Sequence, residues 1–428
     1  MHTLEDNHLA NKNSATNHAE SLPSPFARMI RIETGFDAAT AQDFRFLKDT
    51  RVGIVCNQAT LNSYGQHLVD VVSQLDHCEV KRIFAPEHGY KGAAQDMESV
   101  EDTRHEGFEV ISLYGKDASS LKPAQEHLKD LDVLLIDLPD IGCRYYTFSQ
   151  TMAYCMEVAG TTDTKIMVLD RPNPIGGNQI EGSPLKKGFR SFCGMGPIAN
   201  RHGMTLGELA LLFQAGFGDG EDAMAAIECE LEVIPVTNWK RSMYHDETGL
   251  PWIRPSPNMP NLDAAITYPG TCLFEATRLS EGRGTDAAFL HLGAPYIDSQ
   301  AWLSAISDYK ALTEGASFSP TGFTPRYQKH AGQECRGLRI TIEDRSRLNS
   351  YRMGIALLIS VSRAHPEDFQ WRVEPYEFIQ DIPAIDLLYG NDTLRAVIEN
   401  RKSIETMLQE METFEAWFKE ARIPFLLY

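Results

Sequence analysis

The chain has 428 residues, enough for two or three ordinary domains, and its 43% hydrophobic and 23% charged content is typical of a globular protein. A formal net charge of −19 argues against nucleic acid as a partner, because an acidic surface repels a phosphate backbone. No apolar run approaches the ~18 residues that a membrane-spanning helix requires, so the sequence predicts no membrane span.

The N-terminus is polar and carries neither the basic start nor the apolar stretch of a secretion signal. We therefore expect residues 1–26 to form a disordered polar tail and the protein to be cytoplasmic. The eight cysteines are widely scattered and include no C-x-x-C pair, which is typical of buried free thiols in a reducing compartment.

Four short apolar runs in the first half of the chain alternate with stretches that have the period of an amphipathic helix. The runs are RVGIVCN (51–57), EVKRIFA (79–85), DVLLID (132–137) and KIMVLD (165–170). Such runs are typical of strands buried on both faces, and their alternation with helices predicts a mostly parallel sheet. We assign residues 27–222 to a Rossmann-like α/β domain.

The second half of the chain mixes strand and helix patterns. The segments interpreted as strands are CELEVIPV (229–236), DAAITYPGTCLFEAT (263–277), AAFLHLGAP (287–295) and GLRITIED (337–344). We assign residues 223–428 to a smaller α+β domain. No Gly/Ser-rich linker precedes it, so we expect the two domains to pack closely around a cleft.

Polar side chains directly follow each of the four N-terminal runs. In an open parallel sheet, ligands bind in the crevice beyond the carboxyl ends of the strands, where we expect these side chains to meet. They are Asn57, Glu87, His88, Asp137, Asp140, Asp170, Arg171 and Asn173. Several acids on one rim raise one another's pKa, which lets a carboxylic acid stay protonated near neutral pH and act as a general acid.

The segment GCRYYTF (142–148) follows the third run and contains Arg144, Tyr145 and Tyr146. These residues suit an anionic, ring-shaped ligand, which they would hold by charge and aromatic contact. The two tyrosines equally suit a packing role at the domain interface. His202 comes just before a predicted helix start, a place that favours anions.

Two segments of the second domain supply further candidates for substrate binding. The proline-rich stretch 249–261 is stiff and has little ordering entropy left to lose on binding, and it contributes Asn258. A structural strap between the domains is the alternative for this stretch. In SEGRGT (280–285), Glu281 and Arg283 lie between small residues, where a backbone approaches a ligand closely.

The common nucleotide and metal motifs are missing from the sequence. There is no G-x-G-x-x-G after the first strand, no P-loop and no H-E-x-x-H, so we predict no cofactor. A mononuclear metal site built from His88, Asp137 and Asp170 is the alternative, although no known ligand spacing supports it.

Eight motifs occur along the chain in a fixed order. They are RVGIVCNQAT, FAPEHGYKG, DVLLIDLPDIGCRYYTF, VLDRPNPIGGNQIEG, RHGMTLGELA, TGLPWIRPSPNMPN, YPGTCLFEATRLSEGRGT and GAPYID. Together they resemble the exo-β-N-acetylmuramidase (NamZ-like) family of bacterial glycoside hydrolases. The resemblance implies a two-domain enzyme that removes terminal N-acetylmuramic acid (MurNAc) from peptidoglycan fragments such as MurNAc-GlcNAc or a muropeptide.

In that family the glutamate of the P-E-H-G motif is the proposed catalytic residue. The resemblance therefore implies that Glu87 is the key acid or base and that His88 orients it or contacts the substrate. Asp137, Asp140 or Asp170 is the candidate second carboxyl, unless the 2-acetamido group of the substrate replaces it.

The lactyl carboxylate that distinguishes MurNAc from glucosamine requires a cation, for which Arg144, Arg171 and Arg283 are the candidates. The alternative functions are a metal-assisted hydrolase of cell-wall fragments and a non-catalytic sugar-binding protein. Loss of activity with a chelator would indicate the first, and ligand binding without turnover would indicate the second.

Overall fold

The computed structural model describes residues 31–428, and a mostly parallel sheet forms the N-terminal part of what it describes. The expected tail at residues 1–26 lies outside the described residues. The strands of this sheet are β1 (Thr50–Val55), β2 (Cys78–Ala85), β3 (Thr103–His105), β4 (Phe108–Ser112), β5 (Val133–Ile136), β6 (Lys165–Leu169) and β7 (Leu231–Ile234). They are ordered β3-β4-β2-β1-β5-β6-β7, and every neighbouring pair is parallel except β3 and β4.

Helices cover both faces of this sheet, because its central strands are apolar on both sides. The covering helices are α1 (Gly35–Ala41) and α2 (Leu68–Ser73) on one face, and α3 (Phe148–Ala159) and α4 (Leu206–Ala215) on the other. In β5, Leu134 packs in the core with α3 and α4, and the next residue, Leu135, packs with α1 and α2. The predicted α/β sheet is therefore confirmed.

A small antiparallel sheet and several helices form the C-terminal part. The strands β8 (His291–Ala294), β9 (Ala316–Phe323) and β10 (Cys335–Ile342) pair in the order β8-β10-β9. The helices are α5 (Leu262–Thr271), α6 (Ser299–Ile306), α7 (Ser350–Ala364), α8 (Ala384–Tyr389), α9 (Thr393–Ile398) and α10 (Ile404–Ala421). The prediction of a second, smaller part of α+β type is confirmed.

Residues 263–277 were expected to form a strand, and that prediction is wrong. They form most of α5 and a following 3₁₀ turn, Cys272–Ala276. Asn261 caps the helix by accepting a 3.0 Å hydrogen bond from the Ala264 amide. Every residue from Ala264 to Thr271 is buried, and an apolar run without a polar face does not distinguish a strand from a helix.

α5 crosses α7 at two glycines where larger side chains would not fit. A Cβ atom on Gly270 would lie 1.8 Å from the Ser350 carbonyl oxygen, and one on Gly354 would lie 2.2 Å from the Gly270 oxygen. This close packing fixes the position of α5. It therefore also fixes the turn that carries Glu275.

The two parts share one hydrophobic core and form a single compact unit from Ile32 to Tyr428. Leu134 of β5, Leu338 of β10 and Ile355 of α7 all belong to this core. β7 pairs with β6, so the parallel sheet extends past residue 223, where the second domain was expected to begin. Among the described residues, no helix combines the length and the apolar character that crossing a membrane requires.

Candidate active site

The loop after β2 presents Glu87 and His88 at the carboxyl end of the sheet. The Gly89 amide donates a 3.0 Å hydrogen bond to the Pro86 carbonyl and so closes a tight turn around the two residues. His88 has a φ of 71°, a left-handed conformation that glycine adopts freely and histidine does not. Backbone strain of this kind is concentrated at functional sites.

The carboxyl group of Glu87 is buried, and its two oxygens differ in their hydrogen bonding. Its Oε2 atom accepts a 2.7 Å hydrogen bond from the Thr147 hydroxyl at the start of α3. Its Oε1 atom has no hydrogen-bond partner among the described residues, although Glu87 is only 4% exposed. A buried carboxylate oxygen without a partner is unfavourable, so this atom is suited to bind a ligand.

Glu87 lines a small cavity of about 20 Å³ whose wall comes from both parts of the structure. The residues predicted from the sequence that line it are Glu87, His88, Tyr145, Tyr146 and Arg283. Further polar residues that line it are Asp96, Glu275, Tyr376 and Glu377. A larger and more open cleft of about 290 Å³ shares Asp96 and Glu275 with the cavity and therefore adjoins it.

Three carboxyl groups meet in this cavity. One oxygen from each of Glu87, Asp96 and Glu377 lies within 4.8 Å of the other two. Burial raises the pKa of Glu377 well above its ordinary value, and the charges of Glu87 and Asp96 raise it further. Burial also raises the pKa of Asp96, although the Arg283 guanidinium opposes the change. Carboxyls this close together favour retention of a proton or binding of a cation.

Arg283 pairs with carboxylates at the edge of the cavity. Its guanidinium lies 3.4 Å from Asp96 and 3.1 Å from Glu281, and it also forms an ion pair with Glu275. Lys329 pairs with Glu281 at 2.9 Å. These two cations offset only part of the negative charge that the cavity carboxyls would carry if all were ionised. The balance of charge therefore favours protonated acids in the cavity.

Two of the predicted residues fix loops beside the cavity. The Asn258 side chain donates a 3.0 Å hydrogen bond to Gln95, next to Asp96, and accepts a 3.1 Å bond from the Tyr327 hydroxyl. Glu281 forms ion pairs with Arg283 and with a lysine, as described above. Asn258 thus ties the loop after β2 to the C-terminal part, and Glu281 orients a guanidinium.

Two predicted aspartates of the rim make structural contacts. Both carboxylate oxygens of Asp137 accept hydrogen bonds from Arg171, one of them at 2.8 Å. Asp170 accepts 2.7 Å bonds from the hydroxyls of Thr205 and Tyr428. Because these oxygens are already occupied, the described residues do not form the metal site of His88, Asp137 and Asp170 that was considered as an alternative.

Asp140 lines a separate cavity of about 80 Å³, which Arg171, His245 and Trp252 also line. Burial raises the pKa of Asp140 to about 7. Prolines and aliphatic side chains make up much of the remaining wall, and Glu87 is not part of it. The structure therefore does not bring Asp140 together with the carboxyl cluster.

The remaining predicted residues bond to the backbone rather than line the cavity. Arg144 donates to carbonyl oxygens of three chain segments, including that of Leu388 at 2.8 Å. The amides of Asn57 and Asn173 donate to carbonyl oxygens at 3.1 and 2.9 Å. His202 accepts a 3.1 Å bond from a backbone amide, and burial lowers its pKa to about 3. These contacts stabilise the loops of the rim.

Sequence reasoning missed three carboxyls of the site: Asp96, Glu275 and Glu377. Asp96 follows Glu87 in the same loop, so the P-E-H-G motif itself points to its neighbourhood. Glu275 falls in the segment that was interpreted as a strand, which hid its position. Glu377 lies far along the chain in a turn with no motif, and nothing in the sequence indicates that it reaches this cavity.

The fold and the site define a two-part α/β enzyme whose cavity carries carboxyl groups suited to acid–base chemistry. Family models described as Exo-beta-N-acetylmuramidase NamZ, N-terminal, and Exo-beta-N-acetylmuramidase NamZ, C-terminal, match residues 52–263 and 266–428. The chain therefore belongs to the NamZ family of exo-β-N-acetylmuramidases. This membership confirms the resemblance found in the sequence and the predicted enzyme class, a glycosidase.

Similar proteins match the chain over most of its length. The peptidoglycan beta-N-acetylmuramidase NamZ of Bacillus subtilis (strain 168) is 37% identical over 404 residues, which cover 94% of this chain and 92% of that protein. Crystal structures of two DUF1343 family proteins from Bacteroides fragilis NCTC 9343 are each 29% identical and cover 93% of this chain and 99% of theirs. Their TM-scores of 0.81 and 0.67 indicate a shared fold.

Proposed function

We propose that the protein is an exo-acting glycoside hydrolase that releases terminal MurNAc from peptidoglycan fragments such as MurNAc-GlcNAc, with Glu87 as the key acid/base group. The observation that carries the proposal is the buried Oε1 atom of Glu87, which belongs to the cavity wall and has no hydrogen-bond partner among the described residues. The name of the Bacillus subtilis relative supports the choice of substrate. Carboxyl groups at the scissile bond are the usual catalysts of glycoside hydrolysis.

The tyrosines of the cavity wall suit a sugar ring. The rings of Tyr146 and Tyr268 meet edge to face with their centroids 5.9 Å apart. The Tyr146 hydroxyl is buried and has no hydrogen bond of ordinary geometry to the part of the chain that the structure describes, so it is available to a hydroxyl or acetamido group of the substrate. The Tyr145 hydroxyl instead donates to the Pro269 carbonyl. We therefore assign substrate contact to Tyr146 and packing to Tyr145.

Arg372 is our candidate for binding the lactyl carboxylate of MurNAc. The guanidinium of Arg144 already donates to carbonyl oxygens, that of Arg171 pairs with Asp137, and that of Arg283 pairs with three carboxylates. Arg372 lines the cleft that adjoins the cavity and forms no ion pair with a carboxylate in the part of the chain that the structure describes. Its guanidinium lies 5.4 Å from the ring centroid of Tyr376, which lines the cavity itself.

We also propose that the protein is cytoplasmic. All eight cysteines are free, and free thiols persist in a reducing compartment. The substrate would then be a fragment that has been imported from the cell wall. Fractionation of cells tests this proposal, and activity found outside the cytoplasmic fraction would overturn it.

The proposed activity is tested by measuring free MurNAc released from MurNAc-GlcNAc and from a chromogenic β-MurNAc glycoside. The parent protein and Glu87→Gln are compared, each with and without EDTA. We expect turnover by the parent to survive EDTA and to fall by at least ~100-fold in Glu87→Gln, because a positioned acid/base group contributes about that much.

Two other outcomes would point to the alternative functions. Loss of turnover with EDTA would favour a metal-assisted hydrolase, for which the oxygens of Glu87, Asp96 and Glu377 are close enough together to hold an ion. A folded parent that binds the disaccharide and never releases sugar would indicate a binding protein.

A further inference from the structure

Glu377 lies in an unusual turn. The Tyr376 and Ile379 amides each bond the other residue's carbonyl oxygen, at 3.0 and 2.9 Å, and enclose Glu377 and Phe378. The φ values of these two enclosed residues are 45° and 65°, as in hairpin turns that asparagine and glycine normally occupy. Two adjacent residues with large side chains in this conformation cost free energy, which points to a functional role for the side chain of Glu377.

The Glu377 carboxyl is buried and has no cationic partner among the described residues, and Glu377 is 4% exposed. Its Oε2 atom accepts a 3.1 Å hydrogen bond from the Tyr114 hydroxyl. The Tyr114 ring is itself fixed between Phe192 and Phe378, with centroids 6.0 and 5.4 Å away. The side chain of Glu377 is therefore positioned by neutral contacts only.

The three cavity carboxyls differ in their neighbours, and the differences divide their roles. Asp96 lies 3.4 Å from the Arg283 guanidinium, which opposes the rise in pKa that burial causes in Asp96. Glu87 accepts a 2.7 Å hydrogen bond from the Thr147 hydroxyl, whereas the bond that Glu377 accepts from the Tyr114 hydroxyl is longer, at 3.1 Å. Among the residues that the structure describes, Glu377 has neither a cationic partner nor a charged hydrogen-bond donor. Burial raises its pKa well above the ordinary value, as do the charges of Glu87 and Asp96.

We propose that Glu377 is the second catalytic carboxyl, the general acid that protonates the leaving glycosidic oxygen, and that Glu87 acts as the ionised partner at the anomeric carbon. The inference rests on the proposed glycosidase function and refines it, because it gives the acid/base work to Glu377 and makes Glu87 the carboxylate that bonds to the anomeric carbon. Three observations support it: the oxygens of Glu87, Asp96 and Glu377 lie within 4.8 Å of one another, the turn that holds Glu377 is strained, and no cation lies beside Glu377 in the described part of the chain.

The bond changes of this step balance without a cofactor. The bond between the anomeric carbon and the glycosidic oxygen breaks, its electron pair goes to that oxygen, and the oxygen takes the proton of Glu377. The carboxylate of Glu87 bonds to the anomeric carbon. Water then displaces Glu87, giving its hydroxyl to the sugar and its proton to the Glu377 carboxylate, so both side chains return to their first states.

The test compares two leaving groups. A nitrophenolate leaves without protonation, whereas the sugar alkoxide of MurNAc-GlcNAc requires a proton from the acid. We expect Glu377→Gln to lose at least ~100-fold in kcat/KM on the disaccharide and less than ~10-fold on 4-nitrophenyl β-MurNAc. Glu87→Gln should lose activity on both substrates. Asp96→Asn is the matched control within the same cluster, and it should affect both substrates in similar proportion.

Each remaining outcome has one meaning. A parent active on both substrates, with equal losses in Glu377→Gln, would overturn the role of Glu377 and leave the glycosidase intact. A parent inactive on both would overturn the glycosidase and the role of Glu377 with it. If Asp96→Asn, and not Glu377→Gln, loses activity only on the disaccharide, the general acid is Asp96 and the proposal is overturned.

A folding defect can be separated from loss of the acid. Thermal unfolding of Glu377→Gln reports whether the variant is folded, since its amide oxygen can still accept the Tyr114 hydrogen bond. If it does not fold, Glu377→Asp replaces it, because this variant keeps the carboxyl but withdraws it from the glycosidic oxygen. The same selective loss on the disaccharide is expected, and its absence would overturn the proposal.

Discussion

The Thr147 hydroxyl donates a 2.7 Å hydrogen bond to Oε2 of Glu87, although Thr147 is the N-cap residue of α3. A threonine in that position ordinarily accepts a bond from a backbone amide of its own helix, and this one accepts none. Such a cap stabilises a helix by about 1 kcal/mol. Thr147 therefore binds Glu87 and does not cap α3, which lowers the stability of that helix.

We expect Thr147→Val to lower kcat/KM on β-MurNAc glycosides by ~10–100-fold, since a hydrogen bond to a charged group contributes about 1.5–3 kcal/mol. The substitution keeps the shape of the side chain and removes only the donor to Glu87. Thr147→Ser keeps the hydroxyl and is the matched control. The measurement is steady-state kinetics of the two variants. Equal activity of both would show that the hydrogen bond does not contribute.

Arg372→Gln should discriminate between sugars. We expect kcat/KM for β-MurNAc glycosides to fall by ~10–100-fold, the contribution of one charge-assisted hydrogen bond, while slow turnover of β-GlcNAc glycosides stays unchanged. GlcNAc lacks the lactyl carboxylate, so it has nothing for Arg372 to bind. Arg278→Gln is the control, because Arg278 lines the same cleft but pairs with Glu374 at 2.8 Å. Equal losses on both sugars would contradict the assignment.

The parallel sheet and the position of Glu87 were predictable because their signals are local. Apolar runs such as Val133–Ile136 are buried on both faces, and the residues after each run necessarily reach one rim. The resemblance to a known family then singled out Glu87 among the polar residues of that rim. The same local signal does not separate the possible roles of Asp137, because a rim aspartate that pairs with Arg171 has the same sequence pattern as one that binds substrate.

The other half of the cavity was not predictable, because it depends on long-range packing. Glu275 reaches the site only because α5 crosses α7 at Gly270 and Gly354. Glu377 reaches it through a turn whose two central residues take positive φ values, although neither is a glycine or an asparagine, the residues that would indicate such a turn in the sequence. A sequence without such local signals carries no information on which distant carboxyl will face Glu87.

Asp137 is expected to be structural. Asp137→Asn removes the charge that pairs with Arg171, and we expect it to destabilise the fold by about 3 kcal/mol, as breaking a buried pair does. Activity per folded molecule should not change. Urea unfolding and kinetics on the same samples check both statements. Asp140→Asn is the control, because one of its oxygens has no partner in the described structure. Loss of kcat without loss of stability would return Asp137 to the catalytic candidates.

The raised pKa of Glu377 predicts how stability depends on pH. Burial makes the folded state hold this proton more tightly than the unfolded chain, so its contribution to stability is full below the ordinary glutamate pKa of about 4.3 and is lost as pH rises above it. Glu377→Gln stays neutral and escapes this loss. We expect its Tm advantage over the parent to grow from about pH 4 to about pH 8.

Glu374→Gln is the control for this pH series. Glu374 is exposed on the same segment, and hydrogen bonding to its own backbone, together with Arg278, lowers its pKa. The contribution of Glu374 to stability therefore changes with pH in the opposite direction, and the Tm of Glu374→Gln relative to the parent should not increase as the pH rises. A gain of equal size in both variants would mean that the effect comes from net charge and not from the buried position of Glu377.

The separation of the carboxyls predicts the stereochemistry of hydrolysis. Inverting glycosidases place their two carboxyl groups about 6.5–9.5 Å apart to admit a water molecule, whereas retaining enzymes place them about 5–5.5 Å apart. The nearest oxygens of Glu87 and Glu377 lie within 4.8 Å of each other, which leaves no room for that water. We therefore expect β-MurNAc as the first product, followed by mutarotation. Proton NMR of the anomeric signal early in the reaction measures this, with spontaneous mutarotation of free MurNAc as the control. If α-MurNAc forms first, Glu87 and Glu377 are not the catalytic pair.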